Sequence, residues 1–222
     1  MAATVNLNGA ELTLDPAGAV WWAAAATLVA ADLHLDEAPG FARAERLLPP
    51  HDARATIERL AIVLRRYRPA RVVVLDRCPS RNAGAGLSLA DRQRLDQLAA
   101  EREWLWIGDG GEEAFAQPPL VLRHAPAAGA AEGEICGSLH PKAAVRVRGR
   151  RISGRAFVTD GRRLVLPAFG AVSGGLDALD PAIAGLFHGQ VRVYLIGREA
   201  IYLYAAERLE GVRRPEPAMQ LR

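Results

Sequence analysis

The sequence predicts an α/β fold with two sheets, and three observations support this prediction. Apolar runs at residues 27–31, 72–75 and 104–107 are continuous, as is typical of strands buried on both faces. Two amphipathic stretches separate these runs, so the order strand, helix, strand, helix, strand indicates a parallel layer. Past residue 120 the pattern changes to short strands with glycine turns, which indicates a second sheet.

The N-terminal part contributes short strands and then the first helix. Strands are predicted at 4–7, 11–14 and 19–22, and Asn8-Gly9 is a hairpin signal between the first two. The first helix begins at Asp52, a residue type that favours helix N-termini, and ends before Pro69, which disfavours helix at the preceding residue.

The second helix follows Ser88 and Asp91, which resemble a capping box, and runs to about residue 102. A short helix is predicted at 181–186. The later strands are predicted at 120–123, 134–136, 143–148, 156–159, 164–166, 191–196 and 201–204. With 222 residues, half of them apolar, the chain is long enough for one well-buried domain. We expect that domain to span residues 1–210, with a flexible tail at 211–222.

Charge and cysteine usage predict a cytoplasmic protein. The formal net charge is only +3, and the two cysteines, Cys78 and Cys136, indicate a reducing compartment more than a disulfide framework. The apolar stretch at 20–31 is too short to span a bilayer, so no membrane association is expected. Acidic residues precede that stretch and basic ones do not, which argues against a secretory signal.

Acidic and imidazole side chains follow several of the predicted strands. Asp32 and His34 close the run at 27–31, while His124 and His140 follow later strands. Strand ends of an α/β layer are where ligand sites normally form. Carboxylate and imidazole together suit Mn, Fe or Zn, so these ends are a candidate site for one divalent metal, and the sequence leaves open that no metal binds.

Five segments carry a resemblance to a known family. They are 31–35 (Ala-Asp-Leu-His-Leu), 48–52 (Leu-Pro-Pro-His-Asp), 122–126 (Leu-Arg-His-Ala-Pro), 166–170 (Leu-Pro-Ala-Phe-Gly) and 174–176 (Gly-Gly-Leu). In order and spacing the chain resembles the calcineurin-like metallophosphoesterases, and more closely the bacterial DNA-ligase-associated endonucleases of the PdeM type. The resemblance covers about residues 5–204. It implies a four-layer α/β/β/α sandwich, a two-metal site, and a role in DNA repair with DNA, ligase or helicase as partners.

Three motifs of that family are altered here. In the second, Arg77 replaces the bridging aspartate and Ser80 the histidine, unless a one-residue slip makes Asp76 the bridge. In the third, the segment 108–112, which includes Gly110 and Gly111, contains neither the asparagine nor the histidine of the family. In the fourth, Ser138 replaces the first histidine.

The resemblance implies that the first metal would use Asp32, His34, His140 and the bridging carboxylate. The second metal would keep the bridge and His124, but would lack the asparagine and the histidine at Ser138. The family's acid histidine is also missing. A cationic side chain at the bridge position repels a metal ion, so we hypothesise that Arg77 pairs with Asp32 and replaces the lost charge.

Three functions remain open from the sequence. The first is a family member with weak or absent hydrolysis, a pseudoenzyme retained in DNA repair. The second is an active phosphodiesterase or DNA endonuclease with a reduced metal site, and the third is a non-catalytic protein-interaction module. Arg146 and Arg148 are candidates for DNA contact. They belong to a basic run with the alternation of a hairpin, which also includes Arg150, Arg151 and Arg155.

Overall fold

The first sheet contains the predicted parallel layer. The computed structural model describes residues 1–35, 52–77, 87–108, 113–170 and 174–212. This sheet runs in chain order through β1 (Ala3–Leu7), β2 (Ala10–Leu14), β3 (Val20–Trp22), β4 (Thr27–Ala31), β5 (Arg71–Leu75) and β6 (Glu103–Ile107). Strands β1 to β4 are antiparallel, whereas β4, β5 and β6 are parallel.

Two helices form the connections between the parallel strands. They are α1 (Asp52–Tyr67) and α2 (Leu89–Ala99). The α1 residues Ile57, Leu60 and Leu64 are buried against one face of the first sheet, where each such side chain contributes roughly 1.5–3 kcal/mol. The predicted cap of α2 is confirmed, since Ser88 Oγ accepts a hydrogen bond from the Asp91 amide at 3.2 Å.

The second sheet has nine strands. They are β7 (Ala114–Gln117), β8 (Leu120–Arg123), β9 (Glu134–Cys136), β10 (Lys142–Val147), β11 (Arg150–Thr159), β12 (Arg163–Val165), β13 (Arg192–Ile196), β14 (Ile201–Ala205) and β15 (Leu209–Glu210). The order is β14-β13-β11-β12-β9-β8-β7, with β10 beside β11 and β15 beside β10. The sequence did not predict β7 or β15.

The two sheets pack face to face around the main apolar core. The helices pack on one face of the first sheet. The opposite face contributes Val29 and Val73 to a core shared with Ile135 and Phe157 of the second sheet. The outer face of the second sheet packs on α3 (Pro181–Ala184). The two-sheet α/β fold is confirmed. The four-layer arrangement is not, because α3 has only four residues.

Val212 donates its amide to Asp177 Oδ2, so the chain is still attached to the fold two residues past Glu210. The predicted tail otherwise lies outside the described residues, as does His51. Among the described residues, no helix combines the length and apolarity that a bilayer crossing requires.

Candidate metal centre

The site lies where the central strands of both sheets end. Strands β4 and β5 pair in parallel with Ala31 opposite Leu75, so the next residues, Asp32 and Asp76, leave the sheet side by side. Strand β8 likewise pairs with β9 in parallel and delivers His124 next to Gly137. The two pairs of strand ends meet, which brings Asp32 into contact with residues about 100 positions later in the chain.

Asp32 is the centre of the cluster. Its side chain is 3% exposed, and Oδ1 lies 2.9 Å from His124 Nε2. The other oxygen, Oδ2, lies 3.1 Å from His140 Nε2 and accepts a 3.0 Å hydrogen bond from the Ser138 amide. Burial alone would raise the pKa of Asp32, but the two histidines outweigh it and hold that pKa below the ordinary 3.8. Asp32 is therefore a carboxylate, as a metal ligand must be.

His34 and His140 complete a set of three ligand atoms. One ligand atom each from Asp32, His34 and His140 lie within 4.8 Å of one another. The two imidazole rings meet edge to face with their centroids 4.9 Å apart. One carboxylate oxygen and two imidazole nitrogens at this spacing fit a single Mn, Fe or Zn ion.

Asp76, and not Arg77, enters the site. Asp76 is 5% exposed, and its Oδ2 accepts hydrogen bonds from the amides of Leu33 at 2.8 Å and His34 at 3.3 Å. Burial raises the pKa of Asp76, and the neighbouring charge of Asp32 raises it further. This placement corresponds to the one-residue slip that the sequence left open.

The hypothesised pairing of Arg77 with Asp32 is not found. Arg77 is exposed, and the ion pairs that Asp32 makes within the described part of the chain are with His124 and His140. The physical reason is the strand register, because Asp76 takes the position beside Asp32 and Arg77 is one residue further out. Ser80, Gly110 and Gly111, the other altered positions of the second and third motifs, lie outside the described residues.

Three glycines lie so close to Asp32, His34 and Asp76 that a larger residue in their place would crowd the site. The sequence did not predict this role for them. A Cβ on Gly137 would lie 2.9 Å from Asp32 Oδ2, and one on Gly170 would lie 3.3 Å from His34 Cδ2. At Gly108, where φ is +151°, a Cβ would lie 2.1 Å from the Asp76 carbonyl oxygen. Each of these glycines lies in a segment that resembles a family motif, and this position was the sequence feature that could have identified them.

The loops that carry the site have unusual backbone conformations. Asp32 and His34 have φ of 53° and 52°, and Ser138 and His140 have φ of 63° and 47°. Residues other than glycine seldom adopt this left-handed region, and each instance costs on the order of 1 kcal/mol or more. The surrounding packing holds these residues in place, which is the usual situation at a binding site.

The segment 166–170 is one source of that packing. The Phe169 amide donates to the Ala31 carbonyl at 2.7 Å, and the Gly170 amide donates to the Asp32 carbonyl at 3.0 Å. On its other side, Arg59 donates to the Phe169 carbonyl at 2.7 Å and Arg155 to the Ala168 carbonyl at 2.8 Å. The family-like segment thereby fixes the loop that carries Asp32.

The basic run is only partly on a solvent-exposed hairpin. Strands β10 and β11 form the hairpin, and Arg148 is exposed at its turn. Arg146 is also exposed, but its Nε lies 2.8 Å from Glu210 Oε1. Arg155 is not on that face, because it turns inward to the carbonyls of Ala17 and Ala168.

The chain is therefore an α/β protein. At its strand ends it carries a cluster of two carboxylates and three histidines, residue types that can bind a metal ion. Its structure is similar to the crystal structure of Pseudomonas putida nuclease MPE, with a TM-score of 0.66. The match covers 92% of this chain and 100% of that chain at 20% sequence identity, so it shows a shared fold. No family model and no curated protein matches the chain.

Replacing Asp76 with asparagine is expected to stabilise the metal-free protein while weakening metal binding. Because the folded pKa of Asp76 is raised above 3.8, its contribution to stability is present below pH 3.8 and is lost as the pH rises through the folded pKa. An amide oxygen can still accept from Leu33 and His34 but does not repel Asp32. We expect a gain of about 1 kcal/mol at pH 7 in chelator, measured by urea unfolding.

Asp96→Asn is the matched control for Asp76→Asn, since Asp96 is exposed on α2. It is expected to change the free energy of unfolding by less than about 0.5 kcal/mol. Equal stability of the Asp76→Asn variant and the wild type across the pH range above 3.8 would contradict the burial argument.

Proposed function

We propose that the protein is a metal-dependent phosphodiester hydrolase of the nuclease class that works with one divalent ion, Mn, Fe or Zn. Asp32, His34 and His140 would bind the ion directly, and Asp76 would be the fourth protein ligand. The observation that carries the proposal is the convergence of three ligand atoms within 4.8 Å at the strand ends. The likeness in fold to a nuclease supports the same reaction class.

The surrounding residues have definable tasks in this proposal. A bound divalent ion would supply Lewis acidity and lower the pKa of a bound water. His124 orients Asp32 through the 2.9 Å contact to Oδ1, and the Ser138 amide orients the other oxygen. The amides of Leu33 and His34 fix Asp76 Oδ2, so both carboxylates are held before any ligand arrives.

Metal content and turnover test the proposal together. The protein, purified without chelator, is analysed for Mn, Fe and Zn and then assayed on a chromogenic phosphodiester with and without added Mn. The proposal expects about one metal per chain and turnover that chelator removes and Mn restores. Two metals per chain would contradict the single-ion site, and bound metal without turnover would contradict the reaction class.

A second candidate function is a non-catalytic descendant of such an enzyme. It is favoured by the state of Asp32, whose two oxygens already contact His124, His140 and the Ser138 amide. Two imidazoles can neutralise this carboxylate without a metal, and Ser138 stands where the resemblance implies a metal-binding histidine. A folded protein that neither binds metal nor hydrolyses phosphodiesters would favour this candidate.

A role in DNA repair, with DNA, a ligase or a helicase as partner, is also a proposal. The hairpin turn of β10 and β11 supplies the candidate DNA surface, with Arg148 exposed and Arg146 held by Glu210. A pure protein-interaction module would instead bind DNA no better than other proteins of its charge.

One substitution on this hairpin and one on the neighbouring strand β15 test the DNA surface. Arg148→Gln is expected to weaken binding to a DNA duplex and to reduce the slope of log K against log salt by about 1. Glu210→Gln is expected to strengthen binding, because it releases Arg146 from its ion pair. The measurement is fluorescence anisotropy over a salt series, and unchanged slopes in both variants would exclude the hairpin as a contact surface.

A further inference from the structure

A cavity beside α1, outside the metal centre, is lined by several cationic side chains. The cavity has a volume of about 450 Å³ and is bounded by α1, the turn at 15–17 and the turn between β13 and β14. Three arginines, Arg59, Arg66 and Arg198, line it, and the metal-centre residues do not. Ligand cavities in proteins are typically of this size.

Arg59 carries a charge that its described neighbours do not compensate. It is half-buried, donates to the Phe169 carbonyl at 2.7 Å, and stacks on the Phe169 ring with 5.7 Å between guanidinium carbon and ring centroid. Within the described residues it has no carboxylate partner. A guanidinium group has five N–H donors, and the one acceptor of Arg59 among the described residues is the Phe169 carbonyl. Arg59 also lines the cavity, where its other donors can serve a ligand.

Arg155, which contacts the carbonyl of the cavity-lining residue Ala17, adds a second charge that no described acid compensates. It donates to the carbonyls of Ala17 and Ala168 and, in the described part of the chain, pairs with no acid. Burial lowers the pKa of both arginines, and the charge of Arg59 lowers that of Arg155 further. Two neighbouring cations in a partly desolvated place are stabilised by an anion.

The acids on the cavity wall do not cancel this charge. Asp15 is fully buried and already accepts from Arg66, from the Tyr67 hydroxyl at 2.8 Å and from the Ala17 amide at 2.8 Å. Arg66 keeps half of its side chain exposed despite this pair. Glu199 is exposed at the rim beside Arg198.

We propose that this cavity binds a phosphate group, contacted by Arg59 and Arg198, with Arg66 at its edge. Planar guanidinium groups match the oxygens of phosphate, and such charge-assisted hydrogen bonds are strong in partly desolvated sites. The phosphate can belong to a nucleic-acid strand or to a free phosphate compound. The site needs no metal and does not depend on the hydrolase function proposed above.

The test uses metal-free, full-length protein in chelator, with inorganic phosphate as the probe. Binding is followed by isothermal titration and by the ³¹P line width at constant ionic strength. Saturable binding is expected in the wild type, and Arg59→Gln is expected to weaken it about tenfold. Because Arg59 also contacts Phe169, Arg198→Gln serves as the second variant, since its exposed side chain can be removed without disturbing the fold.

Arg65→Gln is the matched control, because Arg65 is exposed on the same helix and does not line the cavity. It is expected to bind phosphate like the wild type. Competition by a short single-stranded oligonucleotide would assign the site to a strand phosphate, and competition by nucleoside monophosphate alone to a free phosphate compound. No saturable binding, or equal binding by Arg198→Gln, Arg59→Gln and Arg65→Gln, would overturn the proposal. Lost turnover with intact phosphate binding would count against the hydrolase function alone.

Discussion

Replacing His34 with alanine is expected to abolish metal binding and to lower kcat/KM on a phosphodiester by about 100-fold or more. The imidazole of His34 is one of the three groups whose ligand atoms lie within 4.8 Å of one another. Its loss leaves Asp32 and His140 of that set, with Asp76 as the remaining proposed ligand, and a site with a single imidazole is expected to hold Mn, Fe or Zn only weakly. The measurements are metal content after dialysis and steady-state kinetics with added Mn.

His188→Ala is the control for this experiment, because His188 is exposed and is not one of the three clustered ligand residues. It removes the same chemical group and is expected to change neither metal content nor turnover. His124→Ala is expected to have an intermediate effect, since His124 orients Asp32 through Oδ1 in the present geometry. Metal content and turnover that survive His34→Ala would rule out the single-ion site.

Replacing Glu134 with alanine is expected to lower the free energy of unfolding by about 3–5 kcal/mol. Glu134 forms a buried ion pair with Arg163, whose side chain is only 1% exposed. Arg163 also donates to the carbonyls of Leu186 at 2.9 Å and Ala127 at 2.8 Å, so each of its guanidinium nitrogens has an acceptor. Alanine at 134 would leave the Arg163 charge buried without this counterion. The desolvation of that unpaired charge accounts for most of the expected loss of stability.

Glu103→Ala gives the matched comparison for Glu134→Ala. Glu103 pairs with Arg71 at 2.8 Å, but its side chain is 51% exposed, so water screens the interaction. The expected loss is less than about 1 kcal/mol. Urea unfolding followed by circular dichroism measures both variants. Equal losses in the two would show that burial of Arg163 does not control the energy of its ion pair.

The sequence alone determined most of the secondary structure, because periodicity and caps are local properties. The run at 27–31 is continuous in apolar residues, and it is β4, buried along its full length. Ser88 and Asp91 predicted the start of α2, and the hydroxyl does cap it. The strand β7 was missed because Ala114–Gln117 has neither alternation nor β-branched residues.

The tertiary structure decided how the site is assembled. Sequence spacing identified Asp32, His34, His124 and His140, but it could not choose between Asp76 and Arg77. That choice follows from the pairing of Ala31 with Leu75, which places Asp76 beside Asp32 and leaves Arg77 exposed. A register is a relation between two strands, and no local pattern in either strand contains it.

The same reason explains the inward turn of Arg155 and the space left by Gly137. Arg155 belongs to the basic run whose alternation predicted a hairpin, whereas packing against the Phe169 segment directs its side chain to the Ala168 carbonyl. Gly137 is one glycine among many in the sequence, and only the fold shows that a Cβ there would lie 2.9 Å from Asp32 Oδ2. The chemistry of this protein is thus present in its residue types, but their distances depend on contacts between segments remote in the chain.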